Sequence, residues 1–445
     1  MLAAIKTTWA LFLGLALIML AVGLQNVLLG VRADIELFST VVTGFIMSGY
    51  FFGFVLGSYV TPKLVRNVGH VRVFAALASL ASVAVLCHVL LIDAPSWIVM
   101  RVITGFAYAG LYVVAESWLN DRSTNETRGQ MLSIYMVVVL GGMGGGQVLI
   151  NLYDPGSFEL FLLASVLVSV ALVPILLTAS PAPAFEAPSS ISLLELYRTS
   201  PLGVVGAFGT GMAQAALIGM GAVYAASIGL SVAQISLFMG LVYAGGMLLQ
   251  WPIGRLSDSL DRRQVLTVTT LVAGAAAGVA FVLGLDFGFW PLLACIALLG
   301  GTSMPLYSLV VAHTNDHLRP EQMVAASGTL YLAVGLGASA GPILASLAMD
   351  EAGPKAYFLF LAVVHGAIGG FALYRMTRRA AVALDEQGDA IPMSQVASPV
   401  MGAIYAEEWQ ESESSEETSE EAVAVEDYGI LEEDQDDARR GDPAP

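Results

Sequence analysis

Gly254-Arg255-Leu256-Ser257-Asp258-Ser259-Leu260-Asp261-Arg262-Arg263 puts five charged residues into ten positions, between apolar runs over 233–254 and 264–285. Crossing a bilayer takes about twenty apolar residues in a helix, and each run supplies them. Charges at this density cannot lie against hydrocarbon. The segment therefore reads as a tight connection at a membrane surface, joining two spans.

Outward from that connection the alternation repeats. Apolar runs cover 8–31, 41–62, 71–92, 96–119, 130–152 and 158–179, and, after a break, 201–228, 233–254, 264–285, 290–313, 323–349 and 355–377. This predicts an all-α membrane protein with twelve transmembrane helices in two pseudo-symmetric six-helix bundles, residues 1–179 and 201–378. The linker at 180–200 is rich in Pro, Ala and Ser. Within it, Leu193, Leu194, Leu196 and Tyr197 beside Glu195 and Arg198 predict a short surface helix. Composition agrees, with 56% hydrophobic and 12% charged residues, where soluble domains carry roughly a quarter charged. Cys87 and Cys295 lie inside apolar runs and imply no disulfide framework. Residues 1–31 lack a small-residue cleavage site and read as a first span rather than a removed signal.

The net charge of −17 is a local property. Residues 380–445 hold 19 acidic and 2 basic residues, which is the whole excess, so the acidity says nothing about the cargo. Residues 379–445 are expected to form a disordered, solvated acidic cytoplasmic tail. Lys6, Lys63, Arg66, Arg72, Arg122, Arg128, Arg198, Arg255, Arg262, Arg263, Arg319, Arg375, Arg378 and Arg379 fall on one side of the predicted membrane, and only Arg32 and Lys355 on the other. Positive residues are retained inside, so both termini are expected in the cytoplasm, with the chain in the inner membrane.

The halves echo each other at an offset of about 195 to 197 residues. Leu111-Tyr112 before Asn120-Asp121 matches Leu306-Tyr307 before Asn315-Asp316. Tyr135 matches Tyr331, each followed by a glycine-rich stretch, and Gly57, closing the second span, matches Gly254, closing the eighth. Repeats related by an axis along the membrane normal place a binding site between the bundles near the midplane.

The quoted charged stretch resembles the loop signature of the major facilitator superfamily, G-x-L-a-D-r-x-(G/D)-R-(R/K). The first-half copy, Gly57 to Lys63, has Thr61 where the acid should stand. Arg101 to Gly105 is similar to the family's R-x-x-x-G motif, and Ala115 to Asn120 with Arg128-Gly129 and Tyr135-Met136 looks like its YcaD-like branch. Gly335, Gly337, Gly341 and Pro342 resemble the family's fifth-helix G-x-x-x-G-P motif, with Gly141 to Gly146 as the proline-free counterpart. The resemblance implies a cytoplasmic gate built from Gly254, Asp258, Asp261, Arg262 and Arg263, with Asp258 latching near Arg128. An acid at a helix end can meet the positive N-terminus of another helix. A charge cluster that merely fixes topology is the competing reading.

Arg101, Gly105, Tyr108, Tyr112 and Glu116 follow at spacings of 4, 3, 4 and 4, so all five share one helical face. Such a face is costly against lipid and is expected to line the inter-bundle cavity. Gln25, Asn26, Gln147, Gln214 and Tyr224 are further candidates for the cavity, each also explicable as a helix-to-helix contact. Arg101 could instead brace helices, and Glu116 could pair with Arg122 or Arg128. Methionine pairs such as Met212/Met220 and Met239/Met247 are more than two turns apart and do not form one metal site. No phosphate-cradling glycine loop and no convincing nucleophile and base pair appear, so an enzyme is not expected.

The expectation is a secondary active transporter of a small organic solute, working by alternating access with the proton as coupling ion. A carboxylate enclosed at low dielectric prefers to hold a proton, which gives Glu116 the coupling role. The partners are then the solute, the proton and membrane lipid. No cofactor, metal or nucleic acid is expected, and the chain is expected to act as a monomer. The rival expectations are a membrane sensor or assembly factor on a transporter scaffold, and an uncoupled facilitator.

Overall fold

The computed structural model describes residues 2–123, 125–177, 191–383 and 387–388. The expected disordered tail beyond them and most of the expected linker lie outside the described residues. The helices are α1 (Leu2–Ile35), α2 (Thr40–Val68), α3 (His70–Leu90), α4 (Ala94–Arg122), α5 (Asn125–Leu149), α6 (Glu159–Leu177), α7 (Leu193–Thr199), α8 (Pro201–Ser227), α9 (Val232–Ser259), α10 (Arg262–Leu283), α11 (Phe289–Ser303), α12 (Leu306–Asn315), α13 (Pro320–Ala352) and α14 (Ala356–Met376). Twelve stretches among the described residues are long and apolar enough to cross a membrane, with α11 and α12 forming one broken span. Their ends carry the polar residues that lipid would not tolerate. Ser39, Asp93 and Ser231 each accept a backbone N–H at the start of α2, α4 and α9, satisfying groups the helix itself leaves free.

Three boundaries differ from expectation. Gly57 and Gly254 do not close their helices: α2 continues through Pro62 to Val68, and α9 to Ser259. Past the apolar run, charged side chains reach water while the backbone keeps its internal bonds, so nothing ends the helix there. The quoted stretch is thus two helical turns, a short bend and the Asp261 cap of α10. The tenth span breaks between Ser303 and Leu306. Pro305 lacks an N–H, and its ring opposes the preceding turn.

Each bundle is built the same way. In the first, α2 packs on α4, α1 on α5 and α6, and α3 on α4 and α6. In the second, α9 packs on α11, α8 on α13 and α14, and α10 on α11 and α14. Glycine sets the closest approaches. A Cβ added at Gly105 would strike the Tyr50 carbonyl of α2, and one added at Gly300, 195 residues on, would strike the Val242 carbonyl of α9. Gly146 lies likewise against α1, and Gly337 against α8. Without a hydrophobic drive between helices in lipid, such close van der Waals contact holds the bundles together.

The bundles meet along α2 with α13, along α5 with α9, and where α1 crosses α8. The first two contacts exchange under the internal two-fold. Toward the Ile35 end, Ser48 donates to the Ser339 carbonyl, and Ser236 Oγ to the Gln147 carbonyl at 2.7 Å. Toward the linker end, Ser58 Oγ donates to Tyr331 Oη at 2.9 Å, and Tyr59 Oη to the Gly328 carbonyl at 3.3 Å. Helix α7 forms where the apolar residues of the linker predict it, and buries Leu196 against the second bundle.

Candidate functional site

Helix α4 enters under the Asp93 cap and carries its polar residues along one side. Arg101 is 1% exposed. Its Nη2 donates to Asn26 Oδ1 on α1 at 3.1 Å, and its Cζ lies 4.5 Å from the centre of the Tyr50 ring on α2. The guanidinium is therefore held by an amide and an aromatic face, a cation–π contact that strengthens when desolvated. No carboxylate pairs with it among the described residues.

Around this arginine, polar atoms are buried without partners among the described residues. They include Arg101 Nε and Nη1, Tyr108 Oη, and Tyr243 Oη from α9 in the other bundle; both amide atoms of Gln25 on α1 are likewise buried without a partner among the described residues. Tyr50 links them. Its ring lies 6.4 Å from that of Tyr108, and it is within electrostatic range of Tyr243. An unsatisfied buried polar group costs about 1–3 kcal/mol. Polar atoms of this kind suit contents that can hydrogen-bond, water or a polar solute.

Farther along α4 the same face turns aromatic. Tyr112 packs against Phe54 with ring centres 5.7 Å apart, and Phe54 against Tyr331 of α13 at 6.1 Å. Glu116, fully buried, accepts a hydrogen bond from Tyr135 Oη of α5. It lies within electrostatic range of Tyr307 and Tyr331 from the second bundle. Arg101 and Glu116 are thus separate points on one wall, roughly 22 Å apart along the helix axis at 1.5 Å per residue.

The remaining candidates divide. Asn26 joins Arg101, whereas the Gln25 amide is buried with no partner among the described residues. Gln147 Nε2 donates to the Gly23 and Met143 carbonyls at 3.0 Å each, tying α5 to α1, while its Oε1 has no protein partner. Gln214 Nε2 donates to the Ser303 and Met304 carbonyls at 2.5 and 3.3 Å, bracing the break between α11 and α12. Tyr224 stacks on Tyr357 at 5.1 Å and meets Phe358 edge-on, inside the second bundle and apart from Arg101. Gly105 touches α2 rather than open space.

At the linker end, Arg262 is the centre of the charged stretch. Its Nη1 meets Asp316 Oδ1 at 2.5 Å, its Nε meets Ser257 Oγ at 3.0 Å, and its Nη2 reaches Asp258 at 3.5 Å and the Gly388 carbonyl at 2.5 Å. Burial pushes the Asp316 carboxyl up to about 6, outweighing the attraction of Arg262. Burial also opposes the charge on Asp261, but there the hydrogen bonds from Arg263 prevail and hold it below the usual range. Gly254 faces open space. The side chain of Arg128, expected to meet Asp258, lies outside the described residues.

The first bundle replaces this centre. Thr61 is buried beside Gly110, and His70, which opens α3 as Arg262 opens α10, meets Ser117 Oγ of α4 at 3.0 Å and stacks on Trp118. Sequence reasoning gave no role to Tyr50, Tyr243 or Asp316. Asp316 had a signal, its repeat match to Asp121. Tyr135 and Tyr331, matched in the repeat, both prove to sit at polar contacts of the inter-bundle region.

The sequence profile of the Major Facilitator Superfamily matches residues 11–285 and, again, 203–406. The uncharacterized MFS-type transporter YcaD of Escherichia coli O7:K1 (strain IAI39 / ExPEC) is 28% identical over 79% of this chain and 91% of its own. Among solved structures, a mutant of the nucleoside transporter NupG is 13% identical with a TM-score of 0.72, covering 83% of this chain and 99% of that one. A mutant of the Escherichia coli fucose:proton symporter FucP is 16% identical with a TM-score of 0.53, covering 84% and 99%. Those likenesses speak for the fold. A profile that fits both halves, on twelve spans arranged as two matching bundles, makes this chain a multi-pass membrane protein of the Major Facilitator Superfamily.

Proposed function

We propose that this protein moves a small organic solute by alternating access, as a proton-coupled secondary transporter. One observation carries the reading: Arg101, Tyr108 and Gln25 of one bundle and Tyr243 of the other bury polar atoms without partners among the described residues. A purely structural interface would pair or omit them. Arg101 and its aromatic neighbours would orient the solute, favouring an anionic or amphipathic one. Glu116, hydrogen-bonded to Tyr135 and close to Tyr307 and Tyr331 of the other bundle, would exchange the proton. Its ionisation would then bear on the contact between bundles, which is what coupling demands. The fold tolerates such coupling, since one solved neighbour is a fucose:proton symporter. The arginine and lysine distribution supports a cytoplasmic location for both termini and the linker end. Asp258 and its neighbours would then form the cytoplasmic gate.

The test is a thermal-shift screen of metabolites and drugs on purified protein, followed by flux of any hit into proteoliposomes. The expected hit stabilises the wild type and loses that effect in Arg101→Gln. A hit that stabilises both proteins equally and never crosses the membrane sinks the proposal. One observation favours a second reading, a sensor or assembly factor: the Gly388 carbonyl, at the head of the acidic tail, rests on Arg262.

A further inference from the structure

A recess of about 290 Å³, counted with its mouth, opens at the linker end of the second bundle, away from the crevice. Four elements and the segment after α14 build it. Arg263 comes from α10, His313 from α12, His317 from just beyond it, Arg375 from α14, and Arg379 from past its end, around the N-terminus of α8 at Ser200 to Leu202. No carboxylate lines it among the described residues. Asp261, within electrostatic range of His313, is engaged by Arg263 at 2.8 Å. Arg379 Nη1 reaches the Thr199 carbonyl at 3.0 Å, and Arg263 Nη1 reaches the Arg379 carbonyl at 2.7 Å. Arg375 has neither an acidic nor a hydrogen-bond partner for its side chain among the described residues.

The second observation is His313. It is 5% exposed and lines the recess, and its ring nitrogens make no hydrogen bond among the described residues. Its neighbour His317, with ring centres 4.8 Å apart, instead donates from Nδ1 to the His313 carbonyl at 2.9 Å. Burial holds the His317 ring below its ordinary value, and the three guanidiniums add to that. Two guanidiniums without an acidic partner among the described residues, Arg263 already paired with Asp261, a buried imidazole and a helix N-terminus with its partial positive charge converge on one space. The positive charge left over at this arrangement suits an anion, and donors arriving from several directions match tetrahedral oxygens better than a flat carboxylate.

We propose that this recess is a phosphate-binding site. The phosphate belongs either to a free anion or to a lipid headgroup, since the recess opens where a span meets the membrane surface. Binding would tie α14 and the linker helix α7 to α8, stiffening the second bundle.

The experiment follows thermal unfolding of the full chain in detergent with inorganic phosphate against chloride at equal ionic strength. Phosphate is expected to raise the melting temperature of wild type by several degrees. Arg375→Gln and His313→Gln should each lose at least half of that shift. Arg378→Gln, whose guanidinium stacks on Tyr374 at 5.3 Å and does not line the recess, should keep it. A second arm uses nanodiscs of phosphatidylcholine with or without phosphatidylglycerol. If the headgroup is the source, phosphatidylglycerol stabilises wild type but not Arg375→Gln, and added phosphate does nothing more. If the free anion is the source, the phosphate shift is the same in both discs. No shift in wild type, or equal shifts in Arg375→Gln and Arg378→Gln, overturns the assignment.

Discussion

Arg262 and Asp316 form an ion pair of 2.5 Å with their side chains only 1% and 2% exposed, joining the start of α10 to the end of α12. A pair this enclosed loses the hydration of both charges, and attraction does not always restore it. The raised Asp316 value, about 6, says that here it does not fully do so.

That shift sets a pH dependence. A carboxyl raised on folding favours the fold fully below the ordinary aspartate range, and that contribution is lost as pH rises through about 6. Asp316→Asn should therefore flatten the fall in melting temperature between acid and neutral pH and match wild type at the acid end. Fluorescence-detected melts across that range decide it; a variant with an unchanged slope would clear Asp316 of the effect.

Glu116→Gln should abolish solute accumulation driven by a pH gradient while leaving counterflow exchange intact. Exchange needs only the rocking of the loaded carrier, whereas accumulation needs the proton to ride with it. Both are measured in the same proteoliposomes. Undiminished gradient-driven uptake would remove Glu116 from the coupling role.

Arg101→Lys keeps the charge but loses the planar contact with Tyr50 and the hydrogen bond to Asn26. Losing one charge-assisted hydrogen bond costs about 1.5–3 kcal/mol, so solute affinity should fall roughly tenfold to a hundredfold. Titration calorimetry with the screened hit reads this directly. Equal affinity in the two proteins would assign Arg101 to bracing alone.

Gly105→Ala should destabilise the first bundle by about 1–3 kcal/mol, because its methyl meets the Tyr50 carbonyl and α2 must retreat. Gly254→Ala meets nothing within 4 Å and should be neutral or stabilising. Melting temperatures of the two variants in one detergent make the comparison. The reverse order would contradict the packing described for α2 and α4.

Truncation after Arg379 removes the Gly388 contact on Arg262 and the acidic tail. A transporter should keep its flux, within about twofold, since no crevice residue is lost. Loss of a cellular phenotype with the membrane portion folded and transport intact would favour the sensor or assembly reading.

Twelve spans, their pairing into two halves and the polar face of α4 were readable from the chain itself. Lipid demands long apolar runs, and a polar side chain inside one has few places to point. Arg101, Tyr108 and Glu116 followed from spacing alone because helical periodicity is local. The repeat marked Tyr135, Tyr331 and Asp316 without saying what they touch. Only the folded molecule could show that Tyr50 underlies Arg101, that Gly105 is a packing contact, or that Arg262 turns to Asp316. These are meetings between distant segments, chosen by how helices pack, and no periodicity within a single segment encodes them. The break at Pro305 and the basic recess around His313 belong to the same kind. Each gathers residues from separate helices into one place, where burial and charge acquire a meaning that the linear order lacks.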